Sequence, residues 1–90
     1  MLESKVSKRL CSEMKKRGWF HRRIIRTSTP GDPDHYFYKD GRVIWVETKR
    51  AAKDARDLQI YRHNQIKATG QECYVISGID ELNNFIMTIL

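Results

Sequence analysis

How the stretch DHYFYKDGRVIWVETK, residues 34–49, pairs with itself decides the fold. Asp40-Gly41 is a strong two-residue hairpin signal, because a type I′ turn needs positive φ at both central residues. Strand formers flank it: Tyr36, Phe37 and Tyr38 before, and Val43, Ile44, Trp45 and Val46 after. Counting outward, Lys39 faces Arg42, Phe37 faces Ile44, Tyr36 faces Trp45, His35 faces Val46, and Asp34 faces Glu47. Directly opposed residues share a sheet face with Cβ atoms about 5 Å apart, so the two carboxylates repel. They must share a proton, be bridged by a base, or clamp a divalent cation. Phe37, Ile44 and Val46 line the core face, while Asp34, Glu47 and Lys49 lie on the other. Two acids and an ammonium on one face suit metal-assisted phosphate hydrolysis, and they equally suit a surface salt-bridge cluster.

Outward from the hairpin, the chain alternates helix and strand signals. Residues 2 to about 17 predict an amphipathic helix with Leu2, Val6, Leu10 and Met14 in one sector, stopped by Gly18. Glu3 falls inside that apolar sector, so it is paired, functional, or on a frayed end. Trp19 to Arg26 predicts a first strand. TSTPGDP, residues 27–33, is a turn-rich loop delivering Asp34 to the next strand. A second helix is predicted from about Asp54 to Thr69, with Ala55, Leu58, Tyr61, Ile66 and Ala68 inward and Gly70 as its stop. Cys73 to Ser77 predicts a buried strand, and IDELNNFIMTIL a last helix with Asp80 as N-cap. A helix between the third and fourth strands implies a parallel crossover. The fold class expected is α/β: a mixed four-stranded sheet flanked by helices, in the order αβββαβα.

The chain has 90 residues, 40% of them apolar, which is enough for one core, so residues 1–90 are expected to form a single domain. Seventeen Lys and Arg against eleven Asp and Glu give a net charge of +6, which suggests a polyanionic partner, usually nucleic acid. Cys11 and Cys73 have no metal-ligand spacing and read as reduced thiols of a cytosolic protein. The start MLESKVSKRL has no signal-peptide pattern, and no apolar run reaches the length of a membrane span, so no membrane association is expected.

GDPD at 31–34 followed by ETK at 47–49 resembles the signature of the PD-(D/E)xK nuclease superfamily. Within it, the chain looks like a stand-alone VRR-Nuc domain of the phage and bacterial type. Such domains carry GxPD, then ExK, then a helical glutamine about eleven residues before a glycine, which selects Gln59 ahead of Gly70. The likeness runs from Glu3 to about Ser77 and implies a restriction-endonuclease-like core. It implies Asp34 and Glu47 as ligands of Mg²⁺ or Mn²⁺, with the backbone carbonyl of Thr48 as a third. Glu3 would reach the metal directly or through water, Lys49 would orient the attacking water or stabilise the transition state, and Gln59 would support the site. Gln65 also faces the apolar side of the second helix and is the alternative to Gln59.

The expected function is metal-dependent DNA endonuclease activity without a small-molecule cofactor, in a bacterial or phage-infected cytoplasm. DNA would be held by backbone charge through Arg22, Arg23, Arg26, Arg50, Lys53 and Arg56. Relatives are associated with Holliday-junction cleavage, so branched DNA is the expected substrate on resemblance alone. A homodimer is expected, with FIMTIL, residues 85–90, as a candidate interface, and packing of that run on its own sheet is the equal alternative. The rival reading is a basic DNA-binding module without catalysis. His21, His35 and His63 have no partner at metal-ligand spacing and receive no role, and His35 should alternate to the face opposite Asp34. Tyr36, Tyr38 and Trp45 share the acidic face.

Overall fold

A computed structural model describes residues 3–25, 30–50 and 55–90. The elements in chain order are α1 (Glu3–Lys16), β1 (Phe20–Arg23), β2 (His35–Lys39), β3 (Arg42–Lys49), α2 (Asp57–Ala68), β4 (Glu72–Ser77) and α3 (Gly78–Thr88). The strands form one sheet in the order β1-β2-β3-β4, antiparallel except for the parallel β3–β4 pair. This is the mixed αβββαβα restriction-endonuclease-like architecture.

The hairpin register follows the turn. Asp40 has φ 50 and Gly41 φ 80, as a type I′ turn demands, and the pairs run from Lys39↔Arg42 to His35↔Val46. Phe37, Ile44 and Val46 are fully buried against Val6, Leu10 and Met14 of α1 and Leu82 and Phe85 of α3. Burying each such side chain contributes about 1.5–3 kcal/mol, and this layer supplies most of the core.

Three features differ from the sequence reading. β1 is confined to Phe20–Arg23, and Ile25 beyond it is 81% exposed. α2 buries only His63 among its described side chains, whereas Leu58 and Tyr61 of the expected inward face are exposed. Helical spacing in α2 is too weak to fix which side packs on β4. α3 begins at Gly78 with Ser77 as N-cap, and Asp80 lies in its first turn. Glu81 there accepts the Ser77 N–H at 2.9 Å, a carboxylate at the positive helix end. The C-terminal apolar run is largely spent on the core: Phe85 is buried, Ile86, Ile89 and Leu90 pack against the cluster, and Met87 is exposed.

Candidate active site

Asp34 sits where β2 begins, and its placement starts with Gly31. Gly31 has φ +92, and a Cβ there would lie 2.8 Å from the Leu58 carbonyl oxygen and 3.0 Å from Arg62 Cγ. Only glycine lets the loop run this close to α2. Arg62 Nε donates to the Pro30 carbonyl at 3.1 Å, and Pro33 is fully buried, so the loop is held on both sides of Gly31. The regular β2–β3 ladder stops at His35↔Val46. Beyond it, the Thr48 N–H donates to Asp34 Oδ1 at 3.1 Å, and the Thr48 hydroxyl donates to Oδ2 at 2.9 Å. The ladder pair expected between Asp34 and Glu47 gives way to a side-chain clasp between Asp34 and Thr48, while the Asp34 and Glu47 carboxylates still converge.

Thr48 lies on the core face of β3 with Ile44 and Val46, and Ser7 of α1 meets its hydroxyl at 2.6 Å. Reading donors outward from the carboxylate assigns the chain: Thr48 O–H to Asp34, Ser7 O–H to Thr48, His35 Nε2–H to Ser7 Oγ at 3.2 Å, and His21 Nε2–H to His35 Nδ1 at 2.8 Å. His35 Nε2 is also 3.4 Å from Asp34 Oδ2. His35 points to the core side and is 1% exposed, but the Asp34 carboxylate turns toward the same side, so the two do not sit on opposite faces as expected.

Glu47 and Lys49 alternate to the opposite face. Lys49 Nζ lies 3.4 Å from Glu47 Oε2, and Glu47 is buried. Glu3, the first residue of α1, completes the group: one carboxylate oxygen from each of Glu3, Asp34 and Glu47 lies within 4.8 Å of the others. Glu3 is thus the first helical residue and lies beside the other two carboxylates. Burial and then the Asp34 charge push Glu47 up to about 7, against the pull of Lys49. An all-oxygen donor set whose buried member resists ionisation, with one ammonium against three acids, fits a hard divalent cation.

The remaining predicted residues divide. Thr48 enters through its amide and hydroxyl, which orient Asp34. The Gln59 side-chain oxygen accepts the Arg56 N–H at 3.0 Å, capping α2, and Gln65 bonds Arg62 and Tyr61 on the same helix. Neither glutamine is joined to the acids by a described contact. Arg23 and Arg50 flank a cleft of about 720 Å³ that also contains Glu3 and Lys8. Arg22 donates to the His21 carbonyl and lies over the Tyr38 ring, and Arg56 is exposed at the start of α2. Arg26 and Lys53 lie outside the described residues.

Two features had no linear signal, and a third adds Phe20 to the Tyr36, Tyr38 and Trp45 group expected from alternation. His63 is buried with no hydrogen-bond partner for Nε2 among the described residues, and burial lowers its pKa. Phe20, Tyr38, Tyr36 and Trp45 stack in succession, with centroids 5.3, 5.6 and 5.1 Å apart, across the acidic face. Cys11, His21 and His35 also converge, although their sequence separations follow no metal-ligand pattern.

The fold and the carboxylate cluster at the divergence of β2 and β3 define a restriction-endonuclease-like core with a divalent-cation type of donor set. A solved structure described as a VRR_NUC domain is similar to the chain over 98% of its length and 97% of that structure's, with a TM-score of 0.89 at 19% identity. The chain therefore has the VRR-Nuc fold. No protein-family model matches the sequence, and no curated protein matches it.

Proposed function

We propose that this protein is a VRR-Nuc-type, Mg²⁺- or Mn²⁺-dependent endonuclease that hydrolyses DNA phosphodiesters. The observation that carries this reading is the convergence of Glu3, Asp34 and Glu47, with Lys49 beside Glu47. Asp34 and Glu47 would hold the cation, with Glu3 as a third carboxylate. When bound, such an ion polarises a phosphate oxygen and acidifies water. Thr48 fixes the Asp34 carboxylate so that it needs no reorientation on binding. Lys49 carries a positive charge where negative charge develops on phosphorus and can orient the attacking water. Water oxygen bonds to phosphorus as the P–O ester bond breaks, giving a phosphate monoester and a hydroxyl end.

Arg23, Arg50 and Arg56, together with the net charge of +6, support DNA as the polyanion. Branched substrates such as four-way junctions, a homodimer that presents two sites, and a bacterial or phage-infected cytoplasm extend the proposal.

The test is cleavage of labelled plasmid, duplex, flap and four-way-junction DNA by purified protein in Mg²⁺, Mn²⁺ and EDTA, beside Lys49→Ala. Metal-dependent cutting abolished by that substitution is expected. Binding that is salt-sensitive and indifferent to chelator, with no cutting of any substrate, would instead establish a non-catalytic DNA-binding module.

A further inference from the structure

The Cys11, His21 and His35 side chains come from three different elements, α1, β1 and β2, and meet beside the carboxylate cluster. Cys11 Sγ lies 3.7 Å from His21 Nε2 and 4.0 Å from His35 Nδ1, and the two nitrogens are 2.8 Å apart. Tetrahedral zinc with one thiolate and two imidazoles sets its ligands about 3.6 Å apart for S···N and about 3.3 Å for N···N. The sulfur distances lie within about 0.4 Å of that triangle, and the histidines need to separate by about 0.5 Å. Exchanging their mutual hydrogen bond for two metal bonds supplies that movement. It requires His21 to take the tautomer with the proton on Nδ1.

The surroundings favour such an ion. His35 Nε2 is 3.2 Å from Ser7 Oγ and 3.4 Å from Asp34 Oδ2. A ligating histidine whose other ring nitrogen faces a carboxylate is the usual support of a zinc ligand, and it leaves Nδ1 as the electron-pair donor. Cys11 and His21 line the open cleft with Ser4 and Lys8, so an ion can enter and a fourth position faces solvent. Arg23, also in the cleft, opposes the ion's charge and Asp34 offsets it; burial pushes the Cys11 thiol up, so a binding ion must displace its proton to solvent.

We infer that Cys11, His21 and His35 form a binding site for a borderline-soft divalent cation of the zinc class, separate from the oxygen-ligand site of Glu3, Asp34 and Glu47. Thiolate and imidazole select zinc or cobalt over magnesium, and carboxylates alone select the reverse. The site ties α1 to the β1–β2 edge of the sheet. Through His35 it touches Asp34, so the two sites share a wall.

The experiment is titration of the full chain with Zn²⁺ against a competing chelator, and with Co²⁺ followed by absorption. Cobalt is expected to give a thiolate charge-transfer band and the intense visible bands of tetrahedral coordination. One equivalent of Zn²⁺ should bind, raise the thermal midpoint, and persist in millimolar Mg²⁺. Cys11→Ser and His21→Asn, each checked for native circular dichroism, should weaken Zn²⁺ by about 100-fold or more. Asp34→Asn should weaken it about tenfold through His35, and Glu47→Gln should leave it intact. Zinc affinity unchanged in both Cys11→Ser and His21→Asn overturns the inference, as does a cobalt complex without a thiolate band. Binding lost in Glu47→Gln but kept in Cys11→Ser overturns it too, by placing the ion on the carboxylates. DNA cleavage is not part of the readout, so the outcome is independent of nuclease activity.

Discussion

Replacing Glu47 with glutamine should stabilise the metal-free protein while destroying the proposed cation site. Glu47 is raised from 4.5 to about 7 by burial and by Asp34. That 2.5-unit rise corresponds to about 3 kcal/mol between the two protonation states. The sign follows from linkage. A carboxyl whose folded pKa is raised contributes stability that is complete below about 4.5, declines as pH rises, and is gone above about 7. At pH 8 the wild-type fold therefore carries a buried charge whose cost glutamine removes.

The rise to about 7 already includes the pull of Lys49, so once the cost of burying glutamine's own amide is set against it the expected net gain at pH 8 in EDTA is about 2 kcal/mol. For a domain of this size that is a rise of about 8–16 °C in Tm. At pH 5 the wild type recovers about 2.5 kcal/mol by taking up the proton, and the advantage should vanish. Saturating Mg²⁺ at pH 8 should reverse the order, because an ion at 100 times its Kd adds about 2.7 kcal/mol to the wild type alone. Urea melts at pH 5 and pH 8, with and without Mg²⁺, provide the measurement. A Glu47→Gln protein less stable than wild type at pH 8 in EDTA, or equally shifted at both pH values, would refute the placement of a strained carboxylate here.

Other substitutions probe the supports of the site. Gly31→Ala should cost about 2 kcal/mol or more in chemical denaturation, because φ +92 and a carbonyl 2.8 Å from the new Cβ both resist it, and cleavage should fall further as Asp34 shifts. Thr48→Val leaves Ser7 Oγ and Asp34 Oδ2 without their shared partner, so unfolding free energy should drop by about 1–3 kcal/mol. Arg50→Ala should weaken DNA binding to a similar degree across sequences and lower the log–log salt slope by about 1, measured by fluorescence anisotropy.

Much of this was legible in the chain because two local codes agree. Asp40-Gly41 sets the turn, and alternation then sends Phe37, Ile44 and Val46 to one face and Glu47 and Lys49 to the other, where Glu47 is nonetheless buried. Glu3 stood out as a charge on an apolar helical stripe, and it lies beside the other acids. What escaped the sequence depends on tertiary placement. Nothing in the spacing of α2 shows that His63 faces inward while Leu58 and Tyr61 face solvent. The Asp34–Thr48 clasp arises where ladder pairing ends, and residue counting alone carried the pairing one step too far. Cys11, His21 and His35 meet only once α1 is laid across the β1–β2 pair.

The Asp40-Gly41 turn lies about 20 Å of extended chain from Asp34, yet it sets which way Asp34 and His35 point. Side chains along β2 alternate, so a one-residue slip of β2 against β3, which the two-residue turn prevents, would exchange inside and outside along the strand. His35 would be expelled from between Ser7 and His21, and Asp34 would lose Thr48, without any change to a residue of either cluster. The hairpin tip thus acts as a remote phase-setter for the molecule's chemistry, since the register it favours holds both clusters together.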